Sequence, residues 1–154
     1  MLSLPLTLSR MKLIVASFAL LIAATSLHAA DETEMRKTLE RYRGDTQVAL
    51  YLCQTSLRIA VLKANVGKPM TEENDYPACI EQGKAAARAG LERALKVAKK
   101  PKLKEALKSF QVAYISAIEG IRPGTEEIKI NYEQRLQRLE DKLTETWARV
   151  EVEQ

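Results

Sequence analysis

The sequence predicts an all-α protein: an antiparallel up-down four-helix bundle with one disulfide, following a cleaved N-terminal signal peptide. Three observations predict this fold class. After residue 30, apolar residues recur at helical spacing in four stretches, and none of these stretches alternates in polarity as a half-buried strand does. Proline and glycine separate the stretches, as they do at helix ends. The connections are short, which favours antiparallel neighbours.

Residues 1–30 have the pattern of a secretory signal peptide: a basic start, an apolar run over 13–24 and small residues before a cleavage site. The run is too short for a membrane-spanning helix, which needs roughly 20 apolar residues. We expect cleavage near residues 29 and 30, with Met11 a better start than Met1. Residues 31–154 then form a single helical-bundle domain with no integral membrane segment, in the periplasm or secreted.

The charge and histidine content of the remaining chain exclude several function classes. Loss of 1–30 removes Arg10 and Lys12 but no acidic residue, so the net charge falls from +4 to +2. That balance does not indicate a nucleic-acid binder. His28 is the only histidine and would leave with the signal peptide. Haem attachment through C-x-x-C-H, di-iron sites with Glu-x-x-His and nucleophile–base pairs then lack a ligand or base. We therefore predict no enzyme, no cofactor and no metal.

Cys53 and Cys79 are the two cysteines of the chain. In an exported protein an even pair predicts a disulfide, and the spacing is not the C-x-x-C of a redox motif. Closing this loop stabilises the fold by roughly 3–4 kcal/mol if the effect is chain entropy.

The first helix is predicted from a stripe that ends at Gly67 and Pro69, which stop a helix. The residues of this stripe are Leu39, Tyr42, Thr46, Leu50, Cys53, Leu57, Val61 and Ala64. A polar loop over 68–77 follows, and Pro77 suits the first turn of the next helix.

The second helix, predicted over 78–99, is rich in small residues and contains Gly83 and Gly90. Glycine inside a helix costs about 1 kcal/mol relative to alanine, so something must offset it. Close helix packing is the favoured explanation. A groove for a small apolar ligand is the alternative.

Pro101 opens a third helix, although one kinked helix with the second stays open. Its stripe comprises Leu103, Leu107, Phe110, Ala113 or Tyr114, Ala117 and Ile121. The turn 122–124 ends it, and Thr125 is predicted to cap the fourth helix, with Glu126 and Glu127 in its first turn. The fourth stripe repeats every 11 residues, which predicts a nearly straight helix. It comprises Ile128, Tyr132, Leu136, Leu139, Leu143, Trp147 and Val150.

A cluster of lysines surrounds Pro101 and is the densest charge feature of the chain. It comprises Lys96, Lys99, Lys100, Lys102, Lys104 and Lys108. One interpretation is a docking patch for an anionic partner. The favoured one is that the lysines complement helix ends and the acidic residues near both termini of the mature chain.

These features lead to one functional hypothesis and two alternatives. We predict a non-enzymatic periplasmic protein that binds an envelope protein, as a chaperone, inhibitor, immunity factor or assembly component. The alternatives are a carrier of a small apolar ligand between helices and a peripheral binder of anionic envelope surfaces through the lysines. We predict no nucleic-acid partner. A homodimer through the fourth helix stays open.

Overall fold

The computed structural model describes residues 8–66, 75–124 and 126–154, and the surroundings of side chains from residue 31 onward. Its four helices are α1 (Leu8–Asn65), α2 (Tyr76–Val97), α3 (Pro101–Glu119) and α4 (Lys129–Glu153). No strand occurs within the described ranges, which confirms the all-α prediction. The side chains of the predicted signal peptide, the helix stop and most of the loop at 67–74, and the predicted cap Thr125 lie outside the described residues.

The predicted disulfide between Cys53 and Cys79 is confirmed, with the two Cα atoms 5.5 Å apart. Cys79 lies in the first turn of α2, which Pro77 opens as predicted and Asp75 caps by accepting from the N–H of Ala78. Cys53 lies 12 residues before the end of α1. The last three turns of α1 therefore extend about 18 Å beyond the disulfide, where α2 does not continue alongside them.

The core has two clusters, and α3 contributes to both. The buried residues of α3 include its predicted stripe as far as Ala117, with both Ala113 and Tyr114 among them. Ile121, the last residue of that stripe, is also buried but lies in the turn after α3 ends at Glu119. In α1 the predicted stripe is buried as far as Leu57, but Val61 is 48% exposed and Ala64 is also exposed. The prediction for these two residues is wrong because this part of α1 lies beyond the start of α2. Ala60 is the last buried residue there.

The glycines of α2 allow neighbouring side chains to pack against its backbone. A β-carbon added at Gly90 would lie 2.6 Å from Cδ2 of Tyr42, and one added at Gly83 would collide with Cδ1 of Ile118. Tyr42 and Ile118 are fully buried. The packing explanation is therefore confirmed, and the space at these glycines is filled rather than open to a ligand.

The boundaries of α3 and α4 answer one open question and correct one prediction. Ala98 and Lys100 have extended backbone, with ψ of 114° and 131°, so α2 and α3 are separate helices. α4 begins at Lys129, so Glu126 and Glu127 precede the helix instead of forming its first turn. Ile128, the first residue of the predicted stripe, is 60% exposed.

Candidate functional site

α1 and α4 form the open side of the molecule. α1 packs on α2, α2 on α3 and α3 on α4, whereas no Cα atoms of α1 and α4 approach within 8 Å in their described parts. The space between these two helices is a groove whose floor comes from α3. We take this groove as the candidate site.

Two polar bridges cross the groove. Nη1 of Arg43 lies 2.8 Å from Oε1 of Glu151, and Nε2 of Gln54 donates to Oε1 of Glu140 over 3.4 Å. Both contacts are exposed, and contacts of this kind contribute little because water competes for the same groups. The bridges join α1 to α4 through long side chains above an apolar lining. Leu50, Phe110 and Trp147 of that lining are buried, and Arg43 stacks over the Trp147 ring at 5.3 Å.

The half of the groove beside Trp147, which we call the upper half, encloses about 250 Å³. Phe110 and Tyr114 of α3 form its floor, and Leu50, Leu143 and Trp147 form its sides. Trp147 is buried and packs edge-on against Phe110, with ring centres 5.0 Å apart. These aromatic contacts make the floor a rigid apolar surface.

The lower half is wider, about 620 Å³, and more apolar. Its walls include Leu57, Val61 and Leu62 on α1, and Tyr132 and Leu136 on α4. Val61 is 48% and Leu62 is 65% exposed, so this half opens to solvent. Gln54 lines both halves, which makes them one groove. From Arg43 to Leu62 it runs about 28 Å along α1.

Arg135 fixes the α4 wall. Its guanidinium binds both carboxylate oxygens of Glu127, at 2.6 and 2.9 Å, and donates to the carbonyls of Gly120 and Arg122 at the end of α3. The backbone N–H of Gly124 also donates to Glu127. The Arg135 bonds first, and then the Gly124 bond, lower the pKa of Glu127 to about 2. This clamp explains why Glu127 lies outside the helix.

The sequence offered one weak signal for this clamp. An acidic pair follows the glycine-containing turn, and an arginine occurs eight residues after Glu127. Tyr132 adds a second link, since its hydroxyl donates to the carbonyl of Ile121 over 2.7 Å. The lower wall is therefore held to the end of α3 by both Arg135 and Tyr132.

Three buried polar side chains, those of Tyr42, Gln111 and Tyr114, lie at or behind the floor of the groove. The hydroxyl of Tyr42 donates to Oε1 of Gln111. Nε2 of Gln111 and the hydroxyl of Tyr114 have no partner among the described residues. Burial raises the pKa of Tyr114 to about 12 and also raises the pKa of Tyr42, so neither phenol ionises near neutral pH. These groups therefore offer no base at neutral pH, and the groove presents mainly apolar surface for binding.

The predicted lysine patch is exposed at the end of the molecule where α2 meets α3. Lys99 pairs with Asp31, and Lys100 donates to the carbonyl of Gln154 over 2.8 Å. Lys102 shares a shallow surface with Glu105 and other charged residues of both signs. The structure thus places acidic groups among the lysines, as the favoured interpretation expected, and does not bring the cluster to the groove.

Comparison with known protein families, with curated proteins and with solved structures found no match. Across the described residues, no helix combines the length and apolar character needed to cross a bilayer. The same residues contain no group of three or more His, Cys, Asp or Glu side chains placed to hold a metal ion.

Proposed function

We propose that this chain is an exported, antiparallel up-down four-helix bundle that acts without catalysis by binding another envelope protein in the α1–α4 groove. Export is supported by the signal-like pattern of 1–30 and by the disulfide, which persists in oxidising compartments such as the periplasm. In this proposal the mature domain spans residues 31–154, and its role is that of a chaperone, inhibitor, immunity factor or assembly component.

The observation that carries this proposal is the apolar groove between α1 and α4, which is open to solvent at Val61 and Leu62. Its length of about 28 Å matches a helix of about five turns. A helix with apolar residues at every third or fourth position would insert them between α1 and α4 and take the place of the missing α1–α4 contact. Its polar face would stay in water, and the exposed Arg43–Glu151 and Gln54–Glu140 contacts would open to admit it.

A small apolar ligand is the second candidate, favoured by the lower volume of about 620 Å³. Sites for small molecules usually enclose 70–90% or more of the ligand, within about 300–1,000 Å³. Here the walls are themselves half exposed, so a small ligand would remain largely in water. A helix spanning both halves covers more of the apolar wall, and for that reason we favour a protein partner. The lysine patch, already interspersed with acidic groups, ranks third.

Two matched valines test the proposal. Val61 lies in the groove and Val112 lies on α3 outside it, and both are exposed, at 48% and 67%. Affinity-tagged protein carrying its own leader would be recovered from the envelope of its native host as wild type, Val61→Asp and Val112→Asp. We expect a helical partner with wild type and Val112→Asp, and its loss with Val61→Asp.

Two results would reject the groove as a protein-binding site. One is recovery of the same partners by all three forms. The other is native mass spectrometry in which the wild type carries a small molecule that Val61→Asp lacks. Folding of each variant would be checked by far-UV circular dichroism, because both substituted side chains are already solvated.

A further inference from the structure

A second apolar surface lies on the side of α1 that faces away from the core. Among the residues whose side chains the structure describes, seven of the eleven exposed large hydrophobics lie between positions 48 and 66: Val48, Tyr51, Leu52, Ile59, Val61, Leu62 and Val66. Most of them fall on the face opposite Leu50, Cys53 and Leu57, which point into the core. A helix that is apolar on both faces is normally covered on both.

The outer stripe, as we name it, consists of Val48, Leu52, Thr55, Ile59, Leu62 and Val66. Its steps are 4, 3, 4, 3 and 4 residues, which is the heptad spacing of a coiled-coil seam. From Val48 to Leu62 it runs about 21 Å along α1, and Val66 follows in the turn directly after the helix. The stripe is a convex ridge on one helix, so it suits packing against another helix rather than enclosing a ligand.

We propose that the outer stripe is the interface between two copies of this chain, paired antiparallel through their α1 helices. Read backwards, the stripe nearly repeats itself: valine and leucine at both ends, threonine and isoleucine in the middle. An antiparallel copy therefore matches Val48 with the partner's Val66, Leu52 with the partner's Leu62, and Thr55 with the partner's Ile59. In each layer a residue at heptad position a packs against one at position d, as it does in antiparallel coiled coils. The two-fold axis meets the outer stripe at the level of Leu57, on the face of α1 opposite that buried side chain.

Charge favours this direction over a parallel pair. Residues 46–66 contain no acidic side chain, and Arg58 and Lys63 are the basic residues that flank the stripe. In a parallel pair each Arg58 would face the partner's Lys63, which gives two like-charge contacts. In the antiparallel pair Arg58 meets the partner's Arg58 once, at the axis, and Lys63 faces the partner's Ala49. Because this single repulsion is screened by salt, dimerisation should strengthen as ionic strength rises.

The direction of this salt response distinguishes a dimer from an anionic lipid surface, which is the other partner that could cover the stripe. A basic apolar helix face also suits an anionic lipid surface, and such binding weakens with salt. The strict heptad spacing and the self-matching order favour a second copy. The interface uses about six side chains per copy, fewer than the 20–30 residues a side of a typical stable complex, so the dimer should dissociate on dilution.

The test is sedimentation equilibrium of the oxidised protein, obtained by expressing the whole chain, over a range of concentrations and salt. We expect a monomer–dimer equilibrium that shifts toward dimer at higher salt. Leu52→Glu and Leu62→Lys should each abolish it, since each places a charge against a leucine. An equimolar mixture of the two variants should restore a dimer, because the introduced carboxylate and ammonium then oppose each other and the remaining leucines pair.

Val112→Glu is the control: it should dimerise like the wild type. The idea is overturned if the wild type is monomeric throughout, if Leu52→Glu still dimerises, or if the mixed variants stay monomeric. It is also overturned if monomers bind phosphatidylglycerol vesicles in a salt-sensitive manner that Leu52→Glu removes. Partner capture separates this proposal from the previous one, because Val61→Asp leaves the outer stripe intact and Leu52→Glu leaves the groove intact. Leu62 lies at the edge shared by both surfaces, so Leu62→Lys is used only in the dimerisation test.

Discussion

Replacing Gly90 by alanine places a methyl group where Tyr42 already lies. The new β-carbon would be 2.6 Å from Cδ2 and 3.1 Å from Cε2 of that ring, closer than carbon atoms pack. Tyr42 has little room to move, because it is 1% exposed and its hydroxyl bonds Gln111. Its ring also meets Phe110 edge-on, with centres 5.5 Å apart. The clash must therefore be relieved by shifting α2 or distorting the core.

The expected magnitude follows from two opposing effects. Alanine in place of glycine inside a helix stabilises by about 1 kcal/mol. Forcing an extra carbon into a packed core costs about 1–3 kcal/mol. Gly44 provides the matched control, since it lies inside α1 and a β-carbon there meets nothing within 4 Å. We expect Gly44→Ala to gain stability and Gly90→Ala to be less stable than that control by about 1–3 kcal/mol.

Urea denaturation of the oxidised protein, followed by far-UV circular dichroism and by Trp147 fluorescence, measures this difference in the free energy of unfolding. Equal slopes in urea would show that the two variants differ in stability and not in compactness. If Gly90→Ala proved as stable as Gly44→Ala, the close approach of α1 and α2 at this glycine would be refuted.

Three further predictions concern the disulfide, the buried tyrosines and the Arg135 clamp. Replacing Cys53 and Cys79 by alanine should lower the free energy of unfolding by roughly 3–4 kcal/mol, measured in urea; no change would mean that the closed loop does not constrain the unfolded chain. Tyr114→Phe should be neutral or stabilising because its hydroxyl has no hydrogen-bond partner among the described residues. Tyr42→Phe should cost about 1–3 kcal/mol by leaving Oε1 of Gln111 unpaired, and thermal unfolding that gave the reverse order would contradict this reasoning. The folded-state pKa of Glu127 is about 2 and its ordinary value is 4.5, so its stabilisation is present above about pH 4.5 and is lost as pH falls toward 2. Glu127→Gln should therefore lose less stability than the wild type across that acidic window, and parallel pH profiles would argue against the clamp.

Most secondary structure could be predicted because its causes are local. Pro77 and Pro101 open α2 and α3 where the sequence places them, since a missing N–H is harmless in a first turn. The start of α4 could not be predicted in this way. Glu127 has the residue type of a first helical turn, but Arg135 binds it from two turns further along and holds it outside the helix. A local signal gave the wrong boundary because a contact within the tertiary structure competes for the same carboxylate.

The candidate site could be predicted only in part. The sequence identified Cys53 and Cys79 because a chain with two cysteines leaves one pairing. It favoured the lysines as complements to acidic groups near the chain termini, and Lys99 and Lys100 do contact Asp31 and Gln154. It did not identify the groove. Val61 belongs to the predicted stripe of α1, and periodicity alone could not show that it lies beyond the start of α2.

The sequence by itself determined the helical class, the cysteine pair and the apolar faces, because helical spacing and cysteine chemistry are properties of the chain. Only the tertiary structure decided what covers each face. In α1 two apolar stripes repeat with helical spacing, one through Leu50 and Leu57 and the other through Leu52 and Leu62. Spacing shows that a face is apolar but carries no information about its neighbour. Packing buried the first stripe against α2 and α3, left the second exposed, and kept α1 and α4 apart.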